Sequence, residues 1–374
     1  MMKKALKIIG KILIVILILA IVFTTVTFII HKVSRKKEVA LLKEQGYYNP
    51  VSVGDYSINV SAFGNKEGKH TVVGIAGLGM ADFPVAARQM TREIEKDNLV
   101  VFVDRAGYGF SGDTNKDMTN EQIVSDYRTA LKNAGYEPPY LLMVHSIGGA
   151  YANYWCSNYP EEIEAIVFVD GSQLSEDAFE DEDDFNGKVG VLDRIEVFLA
   201  KLGFGRYVIR QFFYLYPDNY SEEEQYLGDA LTLMEYEKIA GFSESYMLAK
   251  NAQEAFDTLI TTDIPKLYIC ASWGAQTVED VLENGKWMNR QIEKNKLKFK
   301  LRPTEYDGNE ETIDKMLAQT KELRETVIVP YAEKMGNCEV VCLAGDHMIY
   351  EQRPKDCGKL IMDFIEKLDS SEKQ

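Results

Sequence analysis

Six apolar runs, each separated from the next by a longer stretch with helical patterning, constrain this chain more than any other feature. They are His70–Gly77 (HTVVGIAG), Leu99–Asp104 (LVVFVD), Tyr140–Ser146 (YLLMVHS), Ile163–Asp170 (IEAIVFVD), Lys266–Ser272 (KLYICAS) and Cys338–Gly345 (CEVVCLAG). Strands that are apolar on both sides need cover on both sides. The runs therefore predict an α/β fold, a mostly parallel sheet between two layers of helix. Helices are expected over about Ala81–Lys96, Thr119–Ala134 (with Thr119 as N-cap), from Ser146 to about Tyr159, and over about Pro354–Leu368. Short alternating runs at Val51–Val60 and around Ala62 predict an antiparallel hairpin ahead of the parallel strands.

Two insertions interrupt the alternation. Residues 172–262 have helical patterning, begin with the acidic run Glu176–Asp184, and then carry Phe198, Phe204, Tyr207, Phe212, Phe213, Tyr214 and Tyr216. Inserted between neighbouring strands, this block is expected to form a lid over the C-terminal edge of the sheet. The acidic run reads as a solvated loop and the aromatics as lid core. A second helical insertion spans about 274–336.

The N-terminus is of a different kind. Ile12–Ile30 (ILIVILILAIVFTTVTFII) holds no charge, and at a rise of about 1.5 Å per residue it crosses a hydrocarbon core of about 30 Å. The run exceeds the core of a typical signal peptide, and no small-residue cleavage site follows it, which favours an uncleaved transmembrane helix over 8–30. Residues 31–48 read as a charged juxtamembrane connector. Lysines 3, 4 and 7 precede the span, while Lys32, Arg35, Lys36 and Lys37 follow it. The reading adopted is a single pass with the folded domain outside the cytoplasm. The remaining chain divides into a core at 49–171, the lid at 172–262, and the rest of the core at 263–369.

The formal net charge of −16 argues against nucleic acid as a partner, because a polyanion would be repelled at long range. Five cysteines without a C-x-x-C give neither a disulfide framework nor a zinc-type ligand set. No metal or organic cofactor is implied.

Chemistry concentrates where the third run ends. Val144-His145-Ser146-Ile147-Gly148-Gly149 leads from a strand straight into a helix. A serine on so sharp a turn has its hydroxyl thrust out over the sheet edge, and small residues are needed close by because the backbone passes near on either side. Gly148 meets that need after the serine, and Val144 stands where a glycine is usual before it. Three further motifs follow the same order as in one family. Asp104-Arg105-Ala106-Gly107-Tyr108-Gly109-Phe110-Ser111 is similar to a D-x-R-G-x-G-x-S turn, and Ile75-Ala76-Gly77-Leu78-Gly79 to an H-G-x loop with alanine for histidine. Gly345-Asp346-His347 is similar to a G-x-G-H loop. Over roughly residues 50–368 the chain resembles the α/β-hydrolase family of serine hydrolases.

The resemblance implies Ser146 as nucleophile, His347 as general base, and the backbone N–H groups of Ile147 and Leu78 as oxyanion donors. Histidine placement points the same way. Of four histidines, His31 is juxtamembrane, His70 starts a strand, and His145 is expected to point away from Ser146. The acid stays open. The family usually places it after the strand Lys266–Ser272, where this chain offers nothing before Glu279 and Asp280. Asp170, at the end of the fourth run, is the other place used. Arg105 is expected to close its turn structurally.

Three functions fit these residues. One is hydrolysis of an apolar or lipid-like carboxylic ester, a small-molecule substrate. Another is an aminopeptidase-like amidase, with Glu176, Asp177 or Glu180 binding a substrate amine. The third is a catalytically silent hydrolase-fold module that binds at the membrane.

Overall fold

The computed structural model describes residues 2–175, 187–207, 216–217, 219–295 and 308–371. Eight strands form one sheet: β1 (Pro50–Ser52), β2 (Ser57–Gly64), β3 (Thr71–Ile75), β4 (Leu99–Val103), β5 (Tyr140–Ser146), β6 (Ile163–Gly171), β7 (Lys266–Cys270) and β8 (Cys338–Cys342). Their order is β1-β2-β4-β3-β5-β6-β7-β8. β1 and β2 are antiparallel to their neighbours, and β3 to β8 run parallel.

Alternate residues of the central strands feed two separate cores. Val73, Ile75, Leu142 and Val144 pack with Tyr127, Trp155 and Tyr331 on one face. Val72, Leu141 and Met143 pack with Phe83, Phe102, Tyr350 and Ile361 on the other. This is the two-sided burial that continuous apolar strands require. Because β4 follows β3 on one side and β5 lies on the other, the strand order reverses between β3 and β5. The carboxyl ends of those strands therefore open into the crevice where sheets of this kind place their sites.

The helix over Asn120–Asn133 begins as the sequence suggests, with the Thr119 side chain accepting from Gln122 N–H. The helix expected over Ala81–Lys96 instead breaks into Phe83–Ala86, Arg88–Thr91 and a 3-10 turn at Ile94–Lys96. Its last carbonyls turn outward: both Glu95 and Asn98 accept from Asn65 N–H, at 3.1 and 3.0 Å.

Between β6 and β7, described helices run over Val191–Lys201, Glu222–Glu235 and Ala240–Asp257. They pack over the turns that follow β3 and β4. Ala81, Val85 and Tyr108 share a buried cluster with Leu227, Ala230, Leu231 and Met234. The acidic run Glu176–Asp184 lies outside the described residues, as do Phe212, Phe213 and Tyr214. The second insertion carries helices Val278–Asn295, Glu310–Leu323 and Val329–Met335.

A single helix, Met2–Glu44, contains both the apolar run and the charged segment after it. The segment 31–44 is thus helical and continuous with the apolar run. Thr27, His31, Glu38 and Leu42 are buried on one stripe of it, at the spacing of one helix face, and face the inserted helices.

Candidate active site

Ser146 closes β5 and Gly148 opens the next helix, with Ile147 at its N-terminal boundary. The Ser146 backbone is left-handed, at φ 53°, a conformation that costs an L-residue about 1–2 kcal/mol and persists only when its surroundings enforce it. Ser172 N–H donates to the Ser146 carbonyl at 2.8 Å, locking the turn to the end of β6. A Cβ at Gly148 would come within 3.0 Å of the Ile75 carbonyl, which explains a glycine there. Val144, by contrast, is fully buried in the core between Ile75 and Phe168.

Asp170 is also left-handed, at φ 48°, and its carboxylate is almost wholly buried. One oxygen, Oδ1, accepts from the N–H groups of Ala271 and Ser272 at 2.8 and 3.1 Å. The other, Oδ2, accepts from Ser272 Oγ at 2.5 Å and lies 2.7 Å from His347 Nδ1. Burial pushes this carboxyl up. The hydrogen bond and charge of His347, with the donors from Ser272 and Ala271, outweigh burial and hold it below the usual carboxylate range. The turn after β7 therefore supplies donors to an acid rather than an acid. Asp280 caps its own helix, accepting from the N–H groups of Gln276 and Thr277 at 2.9 Å each, and among the described residues no hydrogen bond or ion pair joins Glu279 to His347. The structure brings Asp170 to His347, and neither of the other two.

His145 makes no hydrogen bond to Ser146 among the described residues and packs elsewhere. Its ring is buried and lies against the loop of His347, with centroids 4.6 Å apart and Nε2 2.9 Å from the His347 carbonyl. Burial first, and then the neighbouring His347, lower its pKa to about 3. A neutral ring must donate from Nε2 to that carbonyl, which leaves Nδ1 as a bare acceptor, and Nδ1 has no hydrogen-bond partner. It faces Gly77, where a Cβ would lie 2.8 Å from it and 3.0 Å from Ser146 Cβ. Only glycine lets the loop after β3 pass this close. His347 itself is partly exposed, and among the described residues no hydrogen bond joins it to Ser146.

The loop after β3 is held from behind. Arg105 is buried and donates from Nη1 to the Ala76 carbonyl at 2.7 Å and from Nη2 to the Gly77 carbonyl at 2.5 Å. Its Nε lies 2.8 Å from Glu244 of the inserted helix Ala240–Asp257, and Tyr151 Oη donates to the same carboxylate at 2.8 Å. With two successive carbonyls drawn back onto Arg105, the loop's backbone is fixed immediately before Leu78. Gly79 N–H donates to Tyr108 Oη at 2.8 Å. Arg105 thus does more than close its own turn. Glu244 was not singled out from sequence, and the acidic surroundings of that helix gave no signal for it.

Comparison with known proteins agrees with this topology. A family model described as the alpha/beta hydrolase fold matches residues 77–204. The chain is 26% identical over 363 residues to the uncharacterized protein YbdG of Bacillus subtilis (strain 168), covering 94% of each. An epoxide hydrolase from Vigna radiata superimposes with a TM-score of 0.56 at 16% identity, covering 86% of this chain and 97% of that one. A haloalkane dehalogenase from Bradyrhizobium elkani USDA94 gives 0.51 at 16% identity, covering 86% and 98%. The chain has the α/β-hydrolase fold, shared with an epoxide hydrolase and a haloalkane dehalogenase.

Proposed function

We propose that this protein is a membrane-anchored serine hydrolase that cleaves a carboxylic ester, apolar or lipid-like, through an acyl-enzyme. The observation that carries the reading is the 2.7 Å contact of His347 Nδ1 with a buried, fully engaged Asp170, beside a serine held left-handed at a strand-to-helix turn. Asp170 fixes the imidazole with its proton on Nδ1, so Nε2 is free to take the Ser146 proton as the hydroxyl attacks the acyl carbon. The hydrogen bond between the two closes when substrate is bound, as is common for catalytic pairs. The N–H groups of Ile147 and Leu78 receive the oxyanion, and the positive end of the helix that starts at Gly148 favours it further. Collapse of the tetrahedral intermediate breaks the ester C–O bond, and the alcohol leaves with the proton that His347 took from Ser146. A water deprotonated by the neutral His347 then attacks the acyl-enzyme, and Ser146 recovers that proton as the acid departs.

The anchor is the helix Met2–Glu44, which is long and apolar enough to cross a membrane. Exposed lysines flank the span on both sides, Lys4, Lys7 and Lys11 before it and Lys32, Lys36 and Lys37 after it, while Arg35 is tied to Glu38 and Glu237. The orientation proposed keeps the folded domain outside the cytoplasm.

The test is labelling of the full chain in detergent with a fluorophosphonate probe, with Ser146→Ala as control. Labelling of the wild type and none of the variant is expected. A folded wild type left unmodified sinks the reading. Turnover of p-nitrophenyl esters, with none of amino-acid p-nitroanilides, separates the esterase from the amidase.

A further inference from the structure

We infer that the inserted helix Val191–Lys201 lies in the headgroup layer of the bilayer with its outer face immersed in lipid, so that an ester dissolved in the membrane reaches the inserted helices without crossing water. This rests on the reading of Met2–Glu44 as a membrane anchor.

The helix is apolar on the wrong side. Its inner face buries Val197 and Ala200, as any docked helix would. Yet Val191, Leu192, Ile195, Phe198 and Leu199 all point outward, Leu192 at 79% and Phe198 at 60% exposure. Their spacing (i, i+1, i+4, i+7, i+8) places them within one stripe along the helix. Arg194, Glu196 and Lys201 are exposed around it, a polar border of the kind found on helices that lie in a membrane surface. A contiguous apolar patch of this kind on a soluble surface marks an interaction site.

What covers it follows from where it sits. The chain leaving this helix packs against the apolar run itself: Phe204 and Tyr207 rings lie 6.0 and 6.1 Å from the Phe23 ring, and Tyr207 Oη is 3.5 Å from Thr27 Oγ1. Gly203, at φ +92°, comes so near that a Cβ would meet the His31 Cβ at 2.5 Å. Phe23 stands seven residues inside the end of the run at Ile30, about 10 Å at 1.5 Å per residue. A surface helix buries its apolar face to a depth of about 5–10 Å, so the two depths agree. The placement is also rigid. No break separates the span from Glu44, and Arg206 ties the inserted helices to it through both oxygens of Glu38, at 2.5 and 2.8 Å.

The test uses the full chain in phosphatidylcholine nanodiscs, with and without lipids brominated along the acyl chain. Phe198→Trp adds a reporter on the outer face, and Thr258→Trp adds one at an exposed position outside this helix; the three native tryptophans are common background. Brominated lipid is expected to quench the added Phe198→Trp signal by half or more and to leave the Thr258→Trp signal unchanged. No quenching in the folded protein overturns the placement, and so does a blue-shifted, unquenched signal that grows with protein-to-disc ratio, which means a second copy covers the face. Quenching needs no turnover, so an unreactive Ser146 leaves this result standing, whereas a chain that stays out of the discs sinks anchor and placement together. Leu192→Glu with Phe198→Glu is expected to raise KM for vesicle-embedded p-nitrophenyl palmitate at least fivefold. The same pair keeps kcat on dissolved p-nitrophenyl acetate within twofold. Equal losses on both substrates also overturn the inference.

Discussion

The inserted helices are tied down by two guanidinium groups, one buried and one half-buried, and the two ties do different things. Arg105 meets Glu244 with both side chains about 1% exposed, and spends its remaining nitrogens on the carbonyls of Ala76 and Gly77. Arg206 meets a buried Glu38 from a position that is 14% exposed, and its Nε donates to His31 Nδ1 at 3.0 Å. The first pair ends on backbone that would face a substrate. The second ends on side chains of the N-terminal helix. Similar chemistry thus governs the geometry of the loop after β3 in one place and the docking of a helix in the other, and only the atoms at the far end of each guanidinium decide which.

The largest effect that sharpens this contrast lies at the acid. Asp170→Asn is expected to lower kcat about 10³-fold or more, because the imidazole loses the group that fixes its tautomer. Far-UV circular dichroism should remain native, and Asp280→Asn should stay within threefold of wild type. Wild-type turnover by Asp170→Asn would move the acid elsewhere.

Next comes Glu244→Gln. Removing one partner of a buried ion pair costs about 3–5 kcal/mol, read as a fall in thermal midpoint in detergent, and kcat on a dissolved ester should fall 10- to 100-fold as the loop before Leu78 loosens. The contrast itself is tested by Glu38→Gln. Its pair lies nearer the rim, so a loss of about 1–2 kcal/mol is expected, with kcat on the same ester within twofold. Should Glu38→Gln lose as much activity as Glu244→Gln, the two ties are equivalent and the distinction fails.

A smaller, pH-dependent effect comes from Asp104, under the turn that carries Arg105. Burial raises its carboxyl to about 7, although Asn59 donates to it. A carboxyl raised in the folded state stabilises the fold fully below its unfolded pKa near 3.8, and that contribution is lost as pH rises through about 7. Between pH 5 and 8 the wild type should lose on the order of 3 kcal/mol by this route, at about 1.4 kcal/mol per unit up to the folded pKa. Asp104→Asn should flatten that slope in a urea titration, and an unchanged slope would assign the pH dependence to another group.

Much of this was legible in the sequence where local pattern decides structure. β5 and β6 are continuous apolar runs bounded by a helix start and an aspartate, and their limits emerge at Tyr140–Ser146 and Ile163–Gly171. Ser146, His347 and Asp170 could be named because each ends or follows such a run. What was not legible depends on distant partners. Glu244 lies 139 residues from Arg105, with no pattern linking them. Ser272 looked like the last residue of a strand that lacked an acid, and its value as a donor exists only once β6 lies beside β7. The expected helix at Ala81–Lys96 is broken at Ala87 and again before Ile94, and Asn65, from a preceding loop, binds the carbonyls of Glu95 and Asn98 at its end. That the helix runs on past Ile30 was not legible for a related reason: the charged residues there read only as a connector until Arg206 and Glu237 supplied their counter-charges.

On the proposed anchoring, that uninterrupted helix would work as a ruler. Its stripe Thr27–His31–Glu38–Leu42 fixes the domain to particular turns, so each residue added or removed between Ile12 and Phe23 would change the membrane thickness it matches by about 1.5 Å while leaving the stripe's contacts in place. Bilayer thickness would thereby set how deeply the whole domain rides, and a thicker membrane would draw Leu192 and Phe198 inward as the helix follows its apolar length.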